Sequence, residues 1–323
     1  MAYYTGSAAS LTALYTALTT QLLANGFSNS GNIYWKGTLY VSLVQTSNRI
    51  EVRGGTGQSA GVLTGGPVAE PTYGQDGTVS MGAIGSTGLQ FPATYHLHIE
   101  TSPDEVYLFV NESSTRWSWL AFGQSPAPGI SATGNWFGAS VPGKSDNRAA
   151  TLGGPSLLIA TAPGGTDSMG FFMEVDYSGA MGNSPQPYNC SIHHGLDGNT
   201  WSKAGSEVGA ESQSAWTASP SCARTMIPLY PLWSAQPNAW NQQAILMKPE
   251  IYVKRSGGKH SKVGSIAHSR YARNTNYDDG DIITIGSDQW KIYPMVKKNI
   301  TTPNGGTQIE HSGTIALAVR YNP

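Results

Sequence analysis

Charge is what this chain has least of. Only 12% of its 323 residues are Asp, Glu, Lys or Arg, and their formal sum at pH 7 is −1. An average soluble domain carries roughly a quarter. A free-standing nucleic-acid binder is normally strongly basic, so nucleic acid is not expected as a partner. One local exception spans 254–273, where Lys254, Arg255, Lys259, Lys262, Arg270 and Arg273 occur without a carboxylate. With Asp278, Asp279 and Asp281 next door, that segment reads as a solvated face rather than a phosphate track. Long apolar runs are missing too. None approaches the ~18 residues of a membrane span, and Met1-Ala2-Tyr3-Tyr4-Thr5-Gly6 lacks the basic start of a signal peptide, so a soluble product of the cytoplasm, with no membrane partner, is expected. Cysteine is scarce. Cys190 and Cys222 stand 32 residues apart and outside any C-x-x-C pair, which argues against a zinc ribbon and leaves two thiols expected in a reducing cytoplasm. Heptads, Gly-X-Y triplets and repeats of fixed period are absent, and a fibre shaft goes with them.

What the chain does have is 39 Gly, 19 Pro, 16 Tyr and 9 Trp. Many turns between short strands follow from the first pair. The aromatics, set in a surface poor in charge, suit faces that partners cover. Between residues 8 and 25, Leu11, Leu14, Tyr15, Leu18 and Leu22 recur at helical spacing, with Ser7 or Ser10 as N-cap and Gly26 as a left-handed stop. Strands follow at 32–36, 39–44 and 49–53, separated by turns at 36–38 and 46–48. The stretch 54–88 is dominated by Gly, Thr, Ser and Pro and reads as a long exposed loop or arm. Regular strands return at 93–99, 105–110 and 116–122 as a meander, with further apolar runs at 157–159 and 171–175. Residues 177–249 hold four Trp among Pro, Gly, Ser and Asn without a steady period, which marks an irregular functional insertion. Near the C-terminus, Asp281-Ile282-Ile283-Thr284-Ile285 and Gln289-Trp290-Lys291-Ile292-Tyr293 meet across Gly286-Ser287-Asp288. Pro294 stops the second, and Gly313 to Tyr321 forms a last alternating strand. The expected fold is mainly β, with antiparallel sheets in a sandwich-like or barrel-like arrangement and one N-terminal amphipathic helix. Its parts are 1–60, a Gly-rich arm at 61–90, and a β-rich domain at 91–323.

The closing hairpin and strand, with the pattern GDIITIG-DQWK-YP followed by GxIxLAVRY, resemble the ends of a class of tailed-bacteriophage virion structural proteins. The opening YYTG, the helix ending in ANG, the KG turn and the meander YHLHI, PDEVYLFVN and W-WLAFG are similar to the same class. The resemblance covers the opening sixty residues, 93–123 and the last seventy, and leaves 177–249 outside. It implies a non-enzymatic component of the tail, baseplate or neck that sits in the virion and needs no cofactor. Its partners would be copies of itself and neighbouring virion proteins, held through strand edges, Gly-rich arms and aromatic anchors.

Several residue groups carry other readings. His96, His98 and Glu100 share one face of a strand because side chains alternate, and His96 with His98 at a trimer axis would suit a transition metal. The simpler reading turns Leu97 and Ile99 to the core and the histidines to water. Trp201, Trp216, Trp233 and Trp240 suit stacking on a host glycan, in a receptor-binding tip or decoration protein, or else pin down their own irregular segment. His193-His194 with Asp197 near Cys190 has no catalytic spacing. Asp278-Asp279-Gly280-Asp281 lacks the distal carboxylate of a calcium loop and reads as Asx-turn chemistry. An envelope-polysaccharide hydrolase would need two carboxylates about 5 to 9.5 Å apart, for which Glu174, Asp176, Asp104 and Glu105 are available.

Overall fold

The computed structural model describes residues 1–67, 77–82, 89–113, 116–125, 127, 129–140, 190–198, 200–204, 222–225, 246–255, 259–273, 277–278, 280–293 and 315–322. These form antiparallel sheets in layers, with one α-helix.

The middle layer is a ten-stranded sheet. Its order is β1 (Ala2–Ala8), β9 (Ala93–Glu100), β10 (Glu105–Ser113), β11 (Arg116–Gln124), β12 (Asn135–Ala139), β13 (Cys190–His193), β14 (Trp201–Ala204), β15 (Cys222–Thr225), β16 (Glu250–Arg255) and β17 (Lys259–Ser265). All neighbours are antiparallel except β14 and β15. The expected meander supplies β9 to β11. Strand β1 is the first surprise, because small and polar residues there hide any alternation, and the partner β9 supplies the register Tyr3↔His98.

On one face of this sheet lie α1 (Leu11–Ala24) and a five-stranded sheet of β2 (Ser28–Ser30), β3 (Ile33–Lys36), β4 (Leu39–Gln45), β5 (Ile50–Gly55) and β8 (Val79–Met81). Ser10 is the N-cap, its Oγ accepting from Ala13 N at 3.2 Å, and Gly26 follows the helix with φ +85°. Leu11, Leu14, Leu18 and Leu22 are buried, while Tyr15 Oη donates to Leu43 O at 2.9 Å. The five-stranded sheet comes close to the middle layer at Gly54. A Cβ there would lie 2.5 Å from Phe137 Cδ1 and 3.0 Å from Trp201 Cη2, and both rings are buried. Gly54→Ala is therefore expected to cost roughly 1–3 kcal/mol in urea unfolding, as overpacking does; an unchanged midpoint would show that the layers have room to part.

The third layer is β18 (Ser269–Arg273), β21 (Ile315–Arg320), β20 (Asp288–Tyr293) and β19 (Ile282–Ile285), in that order. The β19–β20 loop is Gly286-Ser287, with φ +62° at Gly286. Tyr271, Tyr293, Leu317 and Val319 face the main core, whereas Ala272, Trp290, Ile292, Ala316 and Ala318 form a small second cluster on the other face.

The main core runs from Ala8 through Val79 and Phe122 to Val319. Residues 1–60 thus contribute to a shared core rather than forming a separate part, with β1 in the middle layer and α1 and β2 to β5 packed against it. The expected arm at 61–90 also differs. Val62–Thr64 forms β7, which pairs with β6 (Gly57–Ser59), and Val79 and Met81 of β8 are fully buried. The predicted runs 157–159 and 171–175 lie outside the described residues. Among the described residues, no helix is long and apolar enough to cross a membrane.

Candidate functional site

A group of ionisable side chains lies between the ten-stranded sheet and the C-terminal sheet. Alternation along β9 puts His96, His98 and Glu100 on one face, as expected, but that face meets protein rather than water. His96 Nδ1 is 2.6 Å from Tyr3 Oη, and its ring packs on Trp117 and Tyr293. His98 is 1% exposed and its Nε2 lies 2.6 Å from Tyr293 Oη. A further hydrogen bond joins His98 to the Arg320 backbone, so Nε2 is the atom left to accept the tyrosine proton. Burial lowers His96 to a pKa of about 4 and His98 to about 3. Both rings are neutral packing elements engaged with tyrosines. The face that a trimer axis would need is already covered, and no described group of three His, Cys, Asp or Glu is placed to hold a metal.

Beside them, Glu100 and Glu105 pair across the β9–β10 hairpin and are 1% and 0% exposed. Glu105 accepts from Tyr107 Oη at 2.5 Å and from the N–H groups of Ala267 and His268 at 2.8 Å each. It thereby clasps the β17–β18 connection to the middle layer. Burial nevertheless raises its pKa to about 7. Neither oxygen of Glu100 has a hydrogen-bond partner. His268 Nδ1 is 3.8 Å away, and burial lifts Glu100 to about 8 while it lowers His268 to about 4. At neutral pH the facing groups are thus carboxylic acid and imidazole rather than an ion pair. Glu105 had been a hydrolase candidate with Asp104. Asp104 instead makes a salt bridge of 2.8 Å to Lys36, and Glu105 is closed to any substrate.

A second pair was not anticipated. His194 Nε2 lies 2.6 Å from Ser202 Oγ, both side chains buried. Leu196 N donates to His194 Nδ1 at 3.1 Å, so the proton sits on Nε2 and the imidazole donates to the serine. That tautomer cannot take a proton from Ser202, and the dyad is structural. His193 is held by Thr133, with Oγ1 2.8 Å from Nδ1. Asp197 binds Arg255 at 2.5 Å.

Trp201 is withdrawn from the glycan-contact set. It is 6% exposed, packs edge-on against Phe137, and donates Nε1–H to Gly65 O at 2.8 Å. It pins down its own segment and the segment after β7. Trp216, Trp233 and Trp240 lie outside the described residues, as do Glu174 and Asp176. Cys190 is buried on β13 and Cys222 lies on β15, with β14 between them. Two strand spacings of ~4.8 Å separate their backbones by more than a disulfide spans.

Three of the six basic residues of 254–273 are engaged by other side chains. Arg255 pairs with Asp197 and Lys262 with Glu250, while the Arg270 guanidinium lies 4.3 Å above the Trp290 ring. At the acidic turn, Asp278 N donates to Asp281 Oδ2 at 2.7 Å; the carboxylate reaches back three residues, where an Asx-turn would reach forward two.

Surface edges complete the picture. Strand β19 has β20 on one side and, among the described residues, no strand on the other. Ile282 is 46% exposed and Ile285 48%. No protein-family model and no curated protein matches the chain.

Proposed function

We propose that the chain is a non-enzymatic structural component of a phage particle, in the tail, baseplate or neck, acting by assembly with copies of itself and with neighbouring virion proteins. The observation that carries this reading is β19. A short strand that is an edge among the described residues and carries two exposed isoleucines invites strand addition, and it lies in the C-terminal hairpin on which the resemblance chiefly rests. The burial of Glu100, Glu105, His194 and Ser202 supports the same reading, because these residues reach no substrate.

Immunogold electron microscopy and mass spectrometry of intact particles from the source test the proposal. Label confined to one end of the tail or to the neck is the expected result. A protein abundant in lysate but absent from particles by both methods would overturn it. Ile282→Lys with Ile285→Lys is expected to leave the urea midpoint unchanged and to reduce incorporation into particles at least tenfold. Unchanged incorporation would remove β19 from the assembly surface.

A further inference from the structure

The five-stranded sheet buries one face against the core, and the β6–β7 hairpin folds back over its other face. Pairings Ile33↔Ser42, Ser42↔Arg53 and Val44↔Glu51 put these side chains together on that outer face. The hairpin leans on the sheet at two points. At Gly55 of β5 a Cβ would lie 2.7 Å from Leu63 Cγ, and at Gly61, near the hairpin's tip, a Cβ would lie 3.3 Å from Ser30 Oγ of β2. Between these supports lies a half-open cavity of about 410 Å³, lined by Ile33, Ser42, Val44, Glu51, Arg53 and Leu63 among others. Its size falls within the range of small-ligand sites.

The lining carries one charge that the protein does not answer. Arg49 Nε and Nη2 both donate to Glu51 Oε1, at 3.0 and 2.8 Å, so the Glu51 carboxylate is neutralised by its neighbour. Arg53 has no such partner. Among the described residues no carboxylate pairs with it; its Nη2 donates to Pro67 O at 2.8 Å, and its Nε is buried without an acceptor. The guanidinium is also fixed in place, because Gly66 lies against it: a Cβ there would be 3.2 Å from Nε and 3.4 Å from Cζ. Two guanidinium groups against one carboxylate leave a single positive charge. A half-buried cation held in position, with a donor lacking an acceptor, calls for an anion. The size of the charge narrows the choice. A carboxylate matches it, whereas a phosphate monoester carries about −1.5 to −2 at pH 7 and would leave its second charge unanswered beside Glu51. The apolar walls from Ile33, Val44 and Leu63 suit a hydrocarbon body, and the Ser42 hydroxyl, paired across the strands with Arg53, is a second donor for the acid group.

We infer that this cavity binds a small organic monocarboxylate with an apolar body, its carboxylate seated on the Arg53 guanidinium. The cavity is on a different sheet from β19 and takes its ligand whether or not the chain enters a particle. Saturation-transfer difference NMR on the full chain tests it, with benzoate and isovalerate as probes and benzamide, benzylamine and phenyl phosphate as neutral, cationic and dianionic counterparts. Transfer to at least one carboxylate is expected, with a dissociation constant on the order of 1 mM, and the counterparts should bind more weakly. Arg53→Gln should weaken carboxylate binding roughly tenfold or more, the scale of a lost hydrogen bond to a charged group. Ser42→Phe, which fills the cavity from the sheet side, should abolish it; circular dichroism checks that each variant folds. Absence of transfer to both carboxylates from the wild-type chain overturns the proposal. So does a counterpart that binds as tightly as the carboxylates, or carboxylate binding that a folded Arg53→Gln or Ser42→Phe leaves unchanged.

Discussion

Replacing Tyr293 with alanine is expected to cost roughly 3–5 kcal/mol, the range for removing a buried large aromatic side chain. Tyr293 is fully buried where the C-terminal sheet meets the middle layer. Its ring stacks on Phe109 with centroids 4.0 Å apart and planes 8° from parallel, and it presents edge contacts to Trp117 and His98. Its hydroxyl is also the partner of His98 Nε2. Alanine therefore opens a cavity and strands a buried imidazole. Tyr293→Phe separates the two effects: it keeps the stack, orphans His98, and should cost roughly 1–3 kcal/mol. Urea unfolding measures both. A loss below about 1 kcal/mol for the alanine variant would mean that this contact does not hold the two sheets together.

The elements that were legible in the sequence are those whose information is local. The β19–β20 hairpin could be read because alternation on both sides of Gly286-Ser287 fixes its register, and α1 because four leucines at helical spacing sit between Ser10 and Gly26. Strand β1 was missed since its pairing is supplied from ninety residues away. Strand β8 was missed because it is only three residues long and lies in a Gly-rich stretch. The shared face of His96, His98 and Glu100 followed from alternation alone. What that face meets did not, because Tyr293, Tyr321 and His268 arrive from the far end of the chain. For the same reason Trp201 looked available for a ligand, when its partner Gly65 lies 136 residues earlier. The cavity between the β6–β7 hairpin and the five-stranded sheet had no linear signature, since the hairpin must fold back over β4 and β5 to enclose it.

Stability should peak near pH 6.5, and Glu100 should account for much of its fall at higher pH. Burial raises Glu100 to about 8 and Glu105 to about 7 from the ordinary 4.5. The folded state therefore holds their protons more tightly than the unfolded state. Their contribution is fully present below pH 4.5 and is lost as pH rises through 7 to 8. The histidines act in the opposite sense. Burial lowers His96, His194 and His268 to about 4 and His98 to about 3, from 6.5. Their contribution is present above 6.5 and is lost as pH falls toward those values. Between pH 4.5 and 6.5 the four imidazoles outweigh the two carboxyls, so stability climbs with pH; above 6.5 only the carboxyls still act, and it declines until about pH 8. The displacement of Glu100 from 4.5 to about 8 corresponds to at most roughly 5 kcal/mol. Both its oxygens are without hydrogen bonds, so a neutral amide forfeits nothing there. Glu100→Gln should match the wild type below pH 4.5 and exceed it by a growing margin above, reaching a few kcal/mol at pH 8.5, a difference read from urea midpoints at pH 4, 6.5 and 8.5. A wild-type midpoint that keeps rising to pH 8.5, or a variant that gains nothing there, would mean that Glu100 ionises in the folded chain at an ordinary carboxylate pH.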